Sequence, residues 1–443
     1  MRPLLSSLLL ILLAACGGGG GSSGQSSQTE SEPENEIIFG TQLSLQPAMA
    51  NSPHASTLEG CIKADSTATA CDLATLPLLN AEVFERGDTV PTIDDILNRT
   101  VVSHAWMGQR LRQVLEQMPD DMLQLFGGVT AVVIAADIRP SFYTSGTGAI
   151  YLDAAGFWLT VPEKQVIDQE EDFRSGFGNG LDFVSLFRYV VGNQRAWDFY
   201  SLDGPETRTL DDIILPIASL LFHELAHAND IVPPTLANTF DDSLTVGEAA
   251  QTVSSQNTAT QLRSNQPLNS QLLHDLGQVL FRGVEATAEQ QALSPAEVGL
   301  AFEPDGASDD YAYSSQFEDV AMLFEEVMMK YHFGVDRELA YTDAPADPSS
   351  RFCEEYVVRW GFRNRIADPL TQSRAQFVVE QLLNTNDAGI YFADLTAPIS
   401  LIHGLDWCAN LQNFGTQGIV GESNKPSGPA LIPETDLLPV HSR

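Results

Sequence analysis

Leu220-Leu221-Phe222-His223-Glu224-Leu225-Ala226-His227-Ala228-Asn229-Asp230 is the stretch on which the reading of this chain turns. On a helix, positions i and i+4 share a face, so the two imidazoles can reach one cation with Glu224 beside it. Two neutral nitrogens, a third protein ligand and an open position are what a catalytic zinc ion needs. The apolar neighbours suit a helix buried under a site; Asn229 is polar where such helices stay apolar. The expectation is zinc-dependent hydrolysis, most simply of peptide bonds, with His223 and His227 as ligands and Glu224 as general base.

The pattern predicts a helix over residues 213–229, with Pro216 in its first turn or kinking it, and Pro233-Pro234 blocking its continuation. Upstream, Thr92 reads as the N-cap of a short helix, and residues 104–126 read as helix broken at Pro119. Residues 129–138 and 149–153 (AIYLD) are short, apolar and rich in β-branched or aromatic side chains, which predicts strands. Residues 157–161 read as further extended chain. AIYLD is a candidate edge strand for pairing with an extended peptide, or an ordinary core strand. Downstream, residues 270–280, 286–293, 316–331 and 373–383 read as helices. Strands, then a metal helix, then a mostly helical C-terminal lobe give an α+β fold of zincin-like type: a small mixed sheet beside an active-site helix, with a cleft between lobes at about 37–232 and 233–417. No repeats and no transmembrane segment are evident, and the tail at 418–443, rich in Pro, Gly and Ser, reads as poorly ordered.

Two histidines do not complete a metal site. A third histidine at short spacing is ruled out, because Asp230 and Pro233 stand where that pattern needs Gly and His. Asp230 itself is a weak aspartate alternative. Two downstream glutamates compete for the role of third ligand. Glu248 follows a loop without helical periodicity. Glu318 opens a strongly amphipathic helix with small Ala321 one turn on, which lets the two helices approach, so Glu318 is preferred.

The segment Tyr311-Ala-Tyr-Ser-Ser-Gln-Phe-Glu318-Asp-Val-Ala321-Met-Leu-Phe324 resembles the second motif of gluzincin-type zinc metallopeptidases of the anthrax lethal factor type. Tyr311, Glu318 and Ala321 match that family's tyrosine, zinc glutamate and alanine. The resemblance implies zinc as cofactor and a peptide or protein as substrate. It also implies that Tyr311 donates a hydrogen bond to the oxyanion, with Tyr313 and His332 as other candidates. The second glutamate of the common ExxAE variant is replaced by Met322; Glu325 and Glu326 stand nearby, either in compensation or simply solvated. A non-hydrolytic binding or assembly factor is the alternative; intact Glu224 argues against it.

Residues 1–15 read as a signal peptide: Arg2, a short apolar run, then Leu13-Ala14-Ala15-Cys16. That ending resembles the lipobox of bacterial lipoproteins, which implies lipidation of Cys16 and membrane attachment through the lipid. Gly17, by analogy with sorting in Gram-negative envelopes, points to the outer membrane. Residues 16–36 read as a tether. The four other cysteines suit an exported protein, and proximity favours Cys61 with Cys71 and Cys353 with Cys408. The formal charge of −36 argues against nucleic-acid binding and against adhesion to anionic lipid except through the anchor.

Overall fold

The computed structural model describes residues 40–63, 70–413, 430–433 and 436–437. Cys16, the expected signal peptide and most of the expected tether and tail lie outside these residues. Among the described residues, no helix is long and apolar enough to cross a membrane. Two five-stranded sheets and a set of helices form a mixed α and β structure.

The first sheet has the order β1-β2-β3-β5-β4, with β1 Gln46–Pro47, β2 Thr100–Val102, β3 Ala131–Ala135, β4 Phe142–Thr144 and β5 Ala149–Asp153. The pairs β2–β3 and β3–β5 are parallel; β1 and β4 run antiparallel at the two edges. AVVIA and AIYLD are buried throughout because both faces are covered. Val132, Ile134, Ile150 and Leu152 face one core; Val133, Ala135 and Tyr151 face another. AIYLD is therefore an interior strand and not an edge. The edge beside it is β4.

The first core packs the sheet against the predicted metal helix, which spans Asp211–Ile231. Pro216 lies within that helix. A second long helix, Gln316–Phe333, packs along the first, with Phe222 edge-on to Phe324 at 6.1 Å. Its start is fixed by the Ser315 side chain, which accepts from the Glu318 N–H at 3.2 Å, and its end by Gly334 at φ 67°.

The second sheet was not anticipated in a lobe expected to be mostly helical. Its order is β10-β9-β8-β6-β7, all antiparallel, from β6 Phe183–Val191, β7 Gln194–Arg195, β8 Asp336–Asp343, β9 Val358–Arg363 and β10 Ile399–Ser400. Arginines and acids inside β6, β8 and β9 hide the strand pattern. The sheet takes β6 from before the metal helix and β8 to β10 from after it, so position 232 does not separate the two sheets.

Two local expectations also change. Residues 157–161 form no strand: a 3-10 turn at Ala154–Gly156 leads through Thr160, whose backbone is extended, to a short helix, Val161–Lys164, started by a Thr160–Glu163 capping box. The expected helix at 286–293 is only Ala288–Gln291, and a separate helix, Pro295–Phe302, follows. The cysteines pair as expected, Cys61 with Cys71 and Cys353 with Cys408, at Cα separations of 5.2 and 5.8 Å. The described residues of the C-terminal segment are docked, with Ile432 fully buried and Asp436 accepting from Trp407 Nε1 at 2.6 Å.

Candidate metal centre

One turn of the metal helix separates His223 from His227, and their Nε2 atoms lie 3.2 Å apart. The second long helix, running antiparallel to the first, brings Glu318 to them: Oε2 is 3.1 Å from His223 Nε2 and 3.3 Å from His227 Nε2. Two imidazole nitrogens and a carboxylate oxygen thus converge on one point, a group that could hold a metal ion. The other such grouping among the described residues, Cys353, Asp406 and Cys408, has its two sulfurs joined in a disulfide.

The ligand set is oriented from behind. Glu325, fully buried and two turns after Glu318 on the same helix, faces His223 Nδ1 at 3.2 Å. An ionised carboxylate only accepts, so Nδ1 donates its proton to Glu325, and an ion at the common point would take the lone pair of Nε2. Glu325 itself accepts from Tyr189 Oη at 2.7 Å and from Ser219 Oγ. Of the two uses considered for this glutamate, solvation is excluded and compensation fits. The spacing Glu318 to Glu325, two helical turns, is the signal that could have identified its role.

Electrostatics suit a cation. Burial opposes charging His223, yet Glu318 and Glu325 push its pKa up to about 10. Burial also disfavours ionised Glu318, but His227 and His223 hold it well below its ordinary range. Glu224 is buried, and burial raises its pKa, with Glu318 adding to the rise and the two histidines opposing it. Among the described residues its carboxylate accepts no hydrogen bond, and it lines the cleft that holds the metal group. That cleft has a volume of about 300 Å³.

Tyr311 lies on the same cleft. Its hydroxyl donates to Glu318 Oε1 at 3.1 Å, and its ring stacks on His223 at 6.1 Å. Burial, then the charge of Glu318, raises its pKa, so the hydroxyl remains a donor. Asp309 holds the turn, accepting from Tyr311 N–H at 2.7 Å with one oxygen and from Arg337 Nε at 3.0 Å with the other. Gly277 lets the neighbouring helix, Gln271–Arg282, press on this turn: a Cβ there would lie 2.8 Å from the Tyr313 carbonyl carbon.

The competing candidates lie elsewhere. Glu248 is exposed and serves in the capping box of Val246–Val253. Asp230 points to another helix, accepting from Ala259 N–H at 2.8 Å. Tyr313 donates to Asp305 at 3.0 Å, and His332 pairs with Asp121 at 3.0 Å. Asn229 is an internal brace, donating to the Leu125 and Leu225 carbonyls at 2.8 Å each. Sequence reasoning missed Tyr189 and Ser219, and also Arg174 and Arg282, which line the cleft. No family model, no curated protein and no solved structure matches this chain.

Proposed function

We propose that this chain is a zinc-dependent, gluzincin-like metallopeptidase with a zincin-like catalytic body. One observation carries the reading: three donor atoms lie 3.1–3.3 Å from one another, with Glu224 on the same cleft. A tetrahedral site with bonds of about 2.0 Å has ligand edges of about 3.3 Å, so the donor set fits zinc. His223, His227 and Glu318 would hold the ion. Bound zinc supplies the Lewis acidity that brings a water's pKa toward neutrality and polarises a carbonyl.

The protein's own groups do the rest. Glu224 takes a proton from the attacking water on its carboxylate and returns it to the leaving amine. Tyr311 gives up its bond to Glu318 and donates to the oxygen on which negative charge develops. The outer edge of β4 faces the cleft through Ser141 and Phe142 and offers backbone pairing to an extended peptide. The sequence Leu13-Ala14-Ala15-Cys16 supports a lipid-anchored protein of the bacterial cell envelope acting on envelope peptides or proteins, and Gly17 supports its placement at the outer membrane.

The test is zinc content measured beside peptide cleavage. Wild type binds one zinc, and His223→Ala loses it. Glu224→Gln keeps zinc but loses cleavage by about a hundredfold to ten-thousandfold. Wild-type protein that holds zinc and cuts nothing in a broad peptide library defeats the catalytic reading.

A further inference from the structure

The charges that line the cleft oppose the charge of the whole chain. The sequence has 59 acidic residues against 23 basic ones. Yet the charged residues lining the cleft beyond the metal group and Glu224 are two arginines, Arg174 and Arg282. Other arginines are consumed inside the protein: Arg188, Arg337 and Arg374 are buried in ion pairs.

The two cleft arginines differ in availability. Arg174 is pinned by Asp172, with Nε 3.0 Å from one carboxylate oxygen and Nη2 2.7 Å from the other. Arg282 ends the helix Gln271–Arg282, and its side chain is 46% exposed. Its Nη2 stands 3.8 Å from Glu318 Oε1, too far for a hydrogen bond. Among the described residues its guanidinium makes no hydrogen bond. Beside it Phe281 packs on Tyr311 at 4.9 Å, so the fork projects from an aromatic wall next to the reacting centre. Metal binding would share the Glu318 charge and weaken that oxygen's hold on Arg282. A planar fork of five N–H donors with none spent fits a carboxylate in two-pronged fashion.

We infer that the cleft selects peptides that place a carboxylate beside the scissile bond, with Arg282 as its receptor. The carboxylate is either an Asp or Glu side chain or the peptide's own C-terminus. This deepens the peptidase reading and rests on it. The acidic surface attracts basic partners at long range, but the contact selectivity has the opposite sign.

Four matched peptides test this: Glu or Gln next to the cut, and a free or an amidated C-terminus near it. Wild type favours one carboxylate form over its neutral partner by about tenfold to a hundredfold in kcat/KM, and the responding pair names the source. In Arg282→Gln the ratio falls to near one, while Arg282→Lys, which keeps the charge but loses the fork, retains part of it. Equal cleavage of all four by wild type, or a ratio that survives Arg282→Gln, overturns the inference and leaves the peptidase reading standing. If no peptide is cut, the peptidase reading fails, and binding decides the inference. Zinc-loaded Glu224→Gln then holds the carboxylate peptides more tightly than their neutral partners, and Arg282→Gln in that background abolishes the difference; equal binding overturns it.

Discussion

The two sheets have the same number of strands but are held by different means. The first is largely apolar on both faces: Val132, Ile134, Ile150 and Leu152 share a core with the metal helix, Val133 and Tyr151 face a second layer, and its buried charge is Asp153 at the end of β5, paired with Arg139. The second buries charge. Glu338 of β8 is fully buried and receives Arg188 of β6 and, at 2.7 Å, Arg363 of β9; Arg188 also lies 3.7 Å over the Trp407 ring. Arg337, the residue before Glu338, turns to the opposite face and pairs with Asp309. The candidate metal group sits where these two modes of packing meet. The first sheet supports the helix that bears His223 and His227. The second supplies Tyr189 to hold Glu325 and Arg337 to hold the Tyr311 turn. One sheet places the ligands by shape, the other orients them by hydrogen bonds.

Removing one partner of a buried ion pair leaves a charge with nowhere to go. Glu338→Ala strands two guanidiniums and is expected to cost about 3–5 kcal/mol in denaturant unfolding. Replacing Arg188, Glu338 and Arg363 together by apolar residues of similar volume is expected to cost far less. If the single and triple variants lose equal stability, the second sheet is not held by its charges and the comparison breaks. A smaller effect belongs to the hydrogen bonds that orient the ligands. Glu325→Gln should weaken zinc binding about tenfold to a hundredfold, measured by competition with a chelator. Tyr189→Phe, which removes only one of the bonds to Glu325, should act in the same direction and less.

The same contrast explains what the sequence revealed. AVVIA and AIYLD announce themselves because a strand buried on both faces needs continuous apolar residues. HELAH and Tyr311 to Phe324 are legible because each is local, a spacing within one helix or one turn. DRELAYTD at 336–343 reads as surface, since charged residues are seldom buried unless paired, and the partners of Arg337 and Glu338 lie far off in sequence. No local pattern reports those partners, so β6, β8 and β9 were invisible. Tyr189 and Ser219 were missed for the same reason: each is an ordinary residue until folding brings it to Glu325.

The helix Gln316–Phe333 also carries a buried group that titrates. Glu326 is buried, and burial raises its pKa to about 8, with Asp309 adding to the rise and Arg337 opposing it. In the unfolded chain it ionises near pH 4.5, so between about 4.5 and 8 the folded state binds the extra proton. Stability is therefore present below that window and falls as pH rises through it, by about 1.4 kcal/mol per pH unit from this group. Glu326→Gln should flatten that slope in unfolding curves taken at several pH values. An unchanged slope would place the titrating groups elsewhere.

The smallest effect is expected in the first sheet. Ile134 is fully buried on β3, opposite Leu152, with its carbonyl accepting from Ser103 N–H at 3.0 Å. Ile134→Val deletes one methylene from a packed layer without touching a polar group, at a cost of about 0.5–1.5 kcal/mol. The backbone ladder stays, and the neighbouring side chains relax into part of the space. If this sheet acts on the metal centre only by holding the helix in place, zinc affinity should not move while the unfolding midpoint falls. A zinc affinity that drops with Ile134→Val as far as with Tyr189→Phe would mean that packing and hydrogen bonding are not separable here, because the metal helix would then be shifting on its apolar bed.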